Sequence, residues 1–311
     1  MRVLLTGGSG FVGRHLHAEL TSSGADVLVL ARGGAPGPGR IAGPVDLAEL
    51  TPRDLPEGLD AIVHLAAANP ERGTEEAGDI AFLRRANRDG TAALAAAAAA
   101  RQVRRLVFLS TANVHAPAAD PISETAPIAP QNLYAASKAE AEDALWRALE
   151  GSDTSACILR PGPVFGPGGR GTLGLLIRLA STPAPLPFAA FTAPRSVLFV
   201  DHLVEAIRLA LQSEAAAGET ALVADPDPLS PAEIIAAVRR GLGRSRRLFA
   251  APPGLLTQLA GLAGRGEALA QLRRPFVLDT GRLQGLLAFR PASTARNALE
   301  LPHPETEPKP R

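Results

Sequence analysis

The chain has 311 residues, 46% of them hydrophobic, and its 32 basic side chains almost balance 31 acidic ones. That length suffices for one large domain or two intimate ones, while a formal charge of +1 supplies none of the basic excess that marks a nucleic-acid partner. The single cysteine, Cys157, excludes an intrachain disulfide, and Met1-Arg2 runs straight into Val3-Leu4-Leu5 without a signal-type region, so a reducing cytoplasm is the expected location.

Arg2 to Thr6 reads as a short buried strand. It runs into Gly7-Gly8-Ser9-Gly10-Phe11-Val12-Gly13, after which Phe11, Val12, His15, Leu16 and Leu20 recur at helical spacing. Strand, glycine turn and helix in this order point to dinucleotide binding: the glycines allow a tight turn and let backbone N–H groups approach a pyrophosphate at the positive end of the helix. The next strand, Val27 to Leu30, ends in Ala31-Arg32. A carboxylate there would favour the free 2′-hydroxyl of NAD, whereas Arg32 leans toward the 2′-phosphate of NADP. The Gly- and Pro-rich loop from Gly33 to Gly43 is expected to be irregular.

Asp60 to Ala67 reads as the next strand, its small residues letting a cofactor pass close to the backbone, with His64 a hydrogen-bonded strand residue rather than a catalyst. Asn87-Arg88-Asp89-Gly90-Thr91 opens an alanine-rich helix. Its apolar run, Ala92 to Ala100, is far shorter than the roughly 20 residues needed to cross a bilayer, so no membrane insertion is expected. Leu106 to Thr111 is a fourth strand, ending in hydroxyls. Strands alternating with helices imply a doubly wound parallel sheet whose ligands lie beyond the carboxyl ends of the strands. The glycine turn, Ala66-Ala67 and Ser110-Thr111 all fall at such ends.

The loop Pro127 to Leu133 leads to a helix, Tyr134 to Leu149, which carries the only tyrosine of the chain and, at i+4 on the same face, one of its only two lysines, Lys138. A tyrosine with its ordinary pKa of ~10 is almost fully protonated at neutral pH. A nearby ammonium and a positive nicotinamide would both favour the phenolate, and a hydroxyl such as that of Thr111 would hold the substrate oxygen beside it. Further elements are a strand at Ser155 to Leu159, a helix near Leu173 to Ala180, a strand near Ser196 to Val200, a helix from Asp201 to Leu211 and a strand at Thr220 to Ala224. Ser230-Pro231-Ala232-Glu233 has the form of a capping box. The Pro- and charge-rich tail, 302–311, is expected to be disordered.

The glycine turn, Thr111 and Tyr134-x-x-x-Lys138 together resemble the extended short-chain dehydrogenase/reductase superfamily over roughly residues 1 to 300. More narrowly, the chain is similar to NAD-dependent epimerase/dehydratase members of the UDP-glucose 4-epimerase-like kind. The supporting matches are Asn87-x-x-Gly90-Thr91, Phe108 to Val114, Arg160-Pro161 with Val164 to Gly168, and Arg195 to Asp201. This resemblance implies that Thr111, Tyr134 and Lys138 are catalytic, with Lys138 also on the nicotinamide ribose. It implies further that Gly7, Gly10, Phe11, Val12 and Gly13 hold the pyrophosphate, that Asp46 and Leu47 lie at the adenine, and that Ala66, Ala67, Asn87 and Pro161 line the cofactor. Asn113, Arg170 and Arg195 would contact substrate, and the alanine-rich helix and the Tyr134 helix would form a homodimer face. The pattern has departures: Pro163 stands where an Asn is common, His115-Ala116 replaces Tyr-Gly, Leu133 replaces a Pro, and Arg32 replaces an acidic residue.

The expected fold is therefore α/β, a Rossmann doubly wound parallel sheet with a smaller, mixed C-terminal substrate-binding subdomain. Residues 1–162, rejoined by 196–224, would bind NAD or NADP; 163–195 and 225–301 would bind substrate. The expected activity is UDP-hexose 4-epimerisation by transient oxidation at C4 of a nucleotide-sugar. An NADPH-dependent reductase of a small carbonyl substrate and a non-enzymatic NADP-sensing module are the competing readings. No metal site is expected.

Overall fold

A computed structural model describes residues 1–34, 37–71, 73–262 and 266–301; the expected disordered tail, 302–311, lies outside them. Strand β1 (Arg2–Thr6) passes through the glycine turn into helix α1 (Phe11–Ser22), then β2 (Asp26–Arg32), β3 (Arg40–Gly43) and β4 (Ala61–His64). Two single-turn helices, α2 (Glu75–Gly78) and α3 (Ile80–Leu83), precede α4 (Gly90–Ala100), β5 (Arg105–Leu109), α5 (Leu133–Leu149) and β6 (Ser155–Pro161). Next come β7 (Val164–Phe165), α6 (Gly171–Ala180), β8 (Leu198–Phe199), α7 (Val200–Gln212) and β9 (Glu219–Val223). The chain then continues through α8 (Pro231–Gly241), α9 (Pro253–Leu262), α10 (Gly266–Gln271), α11 (Gly281–Leu287) and α12 (Ala295–Glu300).

Seven strands form one parallel sheet in the order β3-β2-β1-β4-β5-β6-β9. The order reverses between β1 and β4, and the crevice at such a switch point is where doubly wound sheets hold ligands. Parallel strands need cover on both faces, which explains their nearly continuous apolar sequences. On one face Val3, Leu5, Val63, Val107 and Leu159 pack with α1 and α7 residues such as Leu16, Leu203 and Ile207. On the other, Leu4, Ile62, Leu106 and Ile158 pack with α4 and α5 residues such as Leu94, Ala98 and Leu145. A separate apolar cluster joins α6, α8 and α12 with Phe165, Phe188, Phe191 and Phe199.

The structure corrects three local expectations. The Gly33–Gly43 loop contains an edge strand, because Arg40–Gly43 pairs in register with Val29–Arg32. At Gly43 an added Cβ would lie 2.7 Å from a Leu30 methyl, so glycine lets the edge close on β2. The alanine-rich helix does not start at Asn87: helical turns begin at Ile80 and continue through a π-helical stretch, Arg84–Asp89, in which Asn87 is buried. Finally, the strand expected at Ser196 to Val200 shrinks to β8, which pairs only with β7 in a two-stranded sheet, since α7 already begins at Val200. The capping box at α8 is formed, with Pro231 in the first turn. No helix among the described residues is long and apolar enough to cross a membrane.

Candidate active site

The glycine turn closes on itself through the Gly10 N–H, which donates to the Gly7 carbonyl at 2.9 Å. Gly7 has φ +70°, and a Cβ there would lie 2.7 Å from the Ala66 nitrogen; at Gly13 a Cβ would lie 2.2 Å from the Gly7 oxygen. Only residues without a side chain allow β1, the loop after β4 and the start of α1 to come this close. Gly10 caps α1 with no side-chain hydrogen bond, which leaves the first N–H groups of a 12-residue helix directed outward, as a pyrophosphate requires. The cradle fits a dinucleotide. Phe11 packs edge-on against His15, and its ring would be 3.4 Å from a Cβ on Gly169, so it braces the 166–170 loop.

Behind the turn, His64 is fully buried between two hydroxyls, with Nδ1 2.7 Å from Thr6 Oγ1 and Nε2 2.9 Å from Thr91 Oγ1. Thr6 Oγ1 also accepts from the Ala66 N–H, so this chain of bonds fixes the backbone at Ala66. Burial, helped by the charge of Lys138, lowers the His64 pKa to about 3 and keeps it neutral. The hydrogen-bonded reading of His64 is the one observed. Asn87 completes the same loop: Oδ1 accepts from the Ala68 N–H at 2.7 Å, and Nδ2 donates to the Ala68 carbonyl and to Ser137 Oγ. Its amide thus reaches the cofactor crevice through Ala68, and the π-helical turn that holds it is a device often found at functional sites.

Helix α5 begins at an Asn132 cap, whose side chain accepts from the Ala135 N–H at 2.8 Å. Tyr134 stands in the first turn, and its carbonyl accepts from Ser137 Oγ. One turn later Lys138 is buried, with Nζ 3.9 Å above the Phe108 ring, so strand β5 supplies a cation–π seat for the ammonium. Burial lowers the Lys138 pKa to about 7, against an opposing pull from Glu142, and raises the Tyr134 pKa to about 12. A depressed Tyr134 pKa is therefore not produced by the polypeptide alone: loss of solvation raises it. Thr111, just beyond β5, accepts from the Asn113 N–H at 3.2 Å, which leaves its own O–H as a donor. The 112–114 turn it caps packs against α5.

Beneath these residues lies a buried network that was not anticipated. Glu142 receives Arg160 through Nε at 3.0 Å and Nη2 at 2.5 Å, and also accepts from Ser110 Oγ. Arg160 Nη1 donates to His115 Nε2 at 3.1 Å, so the proton of His115 is on Nδ1, which donates to the Pro127 carbonyl. Burial and the Arg160 charge both lower the His115 pKa, against the opposing pull of the Pro127 bond. The network ties α5, the ends of β5 and β6 and the loop leading to Tyr134 into one unit. Its signal in the sequence was the i+4 spacing of Glu142 from Lys138.

The remaining candidate residues are dispersed. Arg32 is exposed at the end of β2, and Ala66 and Ala67 line the loop after β4. Asp46 accepts from the Ala48 N–H at 2.9 Å and from Arg85 Nε at 2.5 Å, and both lower its pKa. Leu47 packs beneath Gly90. Val12 is half-buried on α1, Pro161 is buried at the end of β6, and Asn113 and Arg170 are exposed. Arg195 is different: its Nη1 donates to the carbonyls of Gln271 and Arg274 at 2.7 and 2.9 Å, and its guanidinium lies 5.6 Å from the Phe276 ring centre.

A family model described as the NAD dependent epimerase/dehydratase family matches residues 3–224. The chain belongs to that family. It is an enzyme of the extended short-chain dehydrogenase/reductase type, a class of NAD(P)-dependent epimerases and oxidoreductases. It is 28% identical to a UDP-glucose 4-epimerase of Vibrio cholerae over 96% of this chain and 93% of that protein. It is 33% identical to a dTDP-6-deoxy-L-talose 4-dehydrogenase (NAD(P)(+)) of Kitasatospora kifunensis, over 69% of this chain and 71% of that one. Among solved structures, MoeE5 in complex with UDP-glucuronic acid and NAD superposes with a TM-score of 0.76 at 25% identity, covering 96% of both chains.

Proposed function

We propose that the protein is a nucleotide-sugar 4-epimerase that acts on a UDP-hexose by transient oxidation at C4. The observation that carries this reading is the Tyr134–Lys138 pair one turn apart on α5, with Thr111 just beyond β5, in a chain similar along nearly its whole length to a UDP-glucose 4-epimerase. When bound, the nicotinamide supplies the hydride acceptor and donor. Tyr134 Oη takes the proton from the C4 hydroxyl and later returns it. Thr111 donates its O–H to the same substrate oxygen, and Lys138 binds a ribose hydroxyl while its charge favours the phenolate. With Tyr134 at about 12 in the protein alone, bringing it to neutrality requires roughly 5 units, or ~7 kcal/mol of differential stabilisation. That demand couples proton transfer to the positively charged state of the cofactor.

In this reading residues 1–162 with 196–224 bind cofactor, while 163–195, which carry Arg170, and 225–301 bind the sugar nucleotide together with Asn113. Two copies associate through α4 and α5; sedimentation giving only monomer at micromolar concentration would remove the dimer.

One observation favours the second reading, an NADPH-dependent reductase of a small carbonyl substrate. Nη1 of Arg195 is tied to two backbone carbonyls, which takes that nitrogen away from a diphosphate, and Pro163 removes a polar contact. The discriminating experiment is to denature purified protein, identify any released nucleotide, and incubate the reloaded enzyme with UDP-glucose and UDP-galactose. Interconversion without net absorbance change at 340 nm supports the epimerase. Failure of every UDP-sugar to stabilise the enzyme, with NADPH consumed by a carbonyl compound, would replace it.

A further inference from the structure

The segment from Arg239 to Arg274 contains eight arginines and one acidic residue, Glu267, in a chain whose formal charge is only +1. At its start, Arg239, Arg244 and Arg247 line a surface cavity of about 160 Å³ together with Thr182, Pro183 and Ser245. No carboxylate lines it.

Arg239 is buried, and all five of its N–H groups are directed at carbonyl oxygens: Nε at Ala180, Nη1 at Arg246 and Arg247, and Nη2 at Thr182 and Ala184. Carbonyl dipoles satisfy the donors but do not cancel the charge. Arg244 gives Nη1 to the Ser181 carbonyl, and Arg247 gives Nη1 to the Pro183 carbonyl at 3.2 Å. Among the described residues none of the three is paired with a carboxylate, whereas the adjacent Arg240 is bound to Glu300 at 2.5 Å. Burial, followed by the charges of Arg244 and Arg247, lowers the Arg239 pKa. Three like charges thus converge on one concavity with no counter-charge, an arrangement that an anion relieves.

We propose that this cavity binds a phosphate group. Arg244 and Arg247 offer their remaining guanidinium N–H groups, whose planar forks match phosphate oxygens, and Ser245 offers a hydroxyl. Arg239 contributes charge and shape, since its donors are already engaged. The ligand is a phosphate monoester or diphosphate of a small molecule or the headgroup of an anionic lipid. Phe249, half exposed just beyond Arg247, adds an apolar neighbour of the kind a lipid surface uses. The site is separate from the proposed catalytic residues.

The test compares wild type with the Arg244→Gln/Arg247→Gln double variant, which leaves the buried Arg239 and the Tyr134 site intact. Inorganic phosphate and pyrophosphate are titrated by calorimetry against chloride at equal ionic strength. Phosphatidylcholine vesicles with and without phosphatidic acid are sedimented with each protein. Binding of either phosphate probe that weakens roughly tenfold or more per arginine removed supports the site, and the arm in which it occurs identifies the source. Melting is the second readout: phosphate raises the melting temperature of wild type and leaves that of the double variant unchanged. The proposal is overturned if neither probe binds, if the double variant binds as well as wild type, or if vesicles bind equally without phosphatidic acid.

Discussion

Two regions of the molecule are held by different chemistry. At the strand ends of the large sheet, polar side chains bond to one another: Thr6, His64 and Thr91 in one chain, and Ser110, Glu142, Arg160 and His115 in another. In the other region, irregular segments are gathered by arginines onto backbone carbonyls, with Arg195 reaching Gln271 and Arg274, and Arg239 reaching five separate carbonyls. The first arrangement places particular atoms of particular side chains, as hydride and proton chemistry needs. The second needs only that a carbonyl be within reach, so its loops accept changes of sequence.

The comparison breaks most sharply at the tyrosine helix. Tyr134→Phe should lower kcat by roughly 10²- to 10⁴-fold, the usual worth of a general acid–base, with little change in melting temperature. Lys138→Met should abolish activity equally, yet stabilise the cofactor-free protein. Burial holds the folded Lys138 pKa at about 7 against 10.5, so the unfolded state binds the extra proton between those values and the buried lysine costs stability. The gain in the variant is full at and below pH 7 and vanishes as pH rises through 10.5. Urea unfolding at pH 7 and pH 10 measures it, and a variant less stable than wild type at pH 7 would contradict the assignment.

Next in size is the buried ion pair against the arginine clamp. Glu142→Gln leaves Arg160 charged and unpaired in the interior, and should cost ~3–5 kcal/mol. Arg195→Gln leaves only two carbonyls short of a donor, and should cost ~1–3 kcal/mol. Equal losses in urea unfolding would erase the distinction between the two regions.

His64 gives the strand ends of the sheet a pH signature. The unfolded chain takes up this proton near pH 6.5, whereas the fold holds it off until about pH 3. Between those values the unfolded state binds more protons, so stability falls as pH drops, by up to ~1.4 kcal/mol per unit from this group. His64→Gln should flatten the stability profile between pH 6 and 4 relative to wild type. Parallel profiles would show that His64 is not held neutral.

The same division explains what could be read from the sequence. Parallel strands buried on both faces, the glycine turn and the Tyr134–Lys138 register are local patterns with a fixed period, and the structure places them as expected. Glu142, Arg160 and His115 were not assembled, because strand ends far apart in sequence bring them together only once the sheet forms. Asn87 was assigned to a helix start, since a π-helical turn has no distinct periodicity. The arginine clamps left no signal at all: their acceptors are main-chain carbonyls, which every residue carries.

The smallest effect concerns two arginines to which the sequence assigns different phosphates. Arg195 has its guanidinium engaged by carbonyls, whereas Arg32 is exposed at the carboxyl end of β2, next to the strand that feeds the glycine turn. An exposed guanidinium at that position favours a 2′-phosphate through charge-assisted hydrogen bonds. Arg32→Asp replaces attraction with repulsion toward that phosphate and adds an acceptor for a free 2′-hydroxyl. It should therefore shift the ratio of NADP to NAD affinity by roughly tenfold or more toward NAD, without altering stability, because neither side chain is buried. Titration of both nucleotides against both proteins measures the ratio. An unchanged ratio would mean that Arg32 does not meet the adenosine ribose, and that the choice of cofactor is made by Asp46 and its partner Arg85 instead.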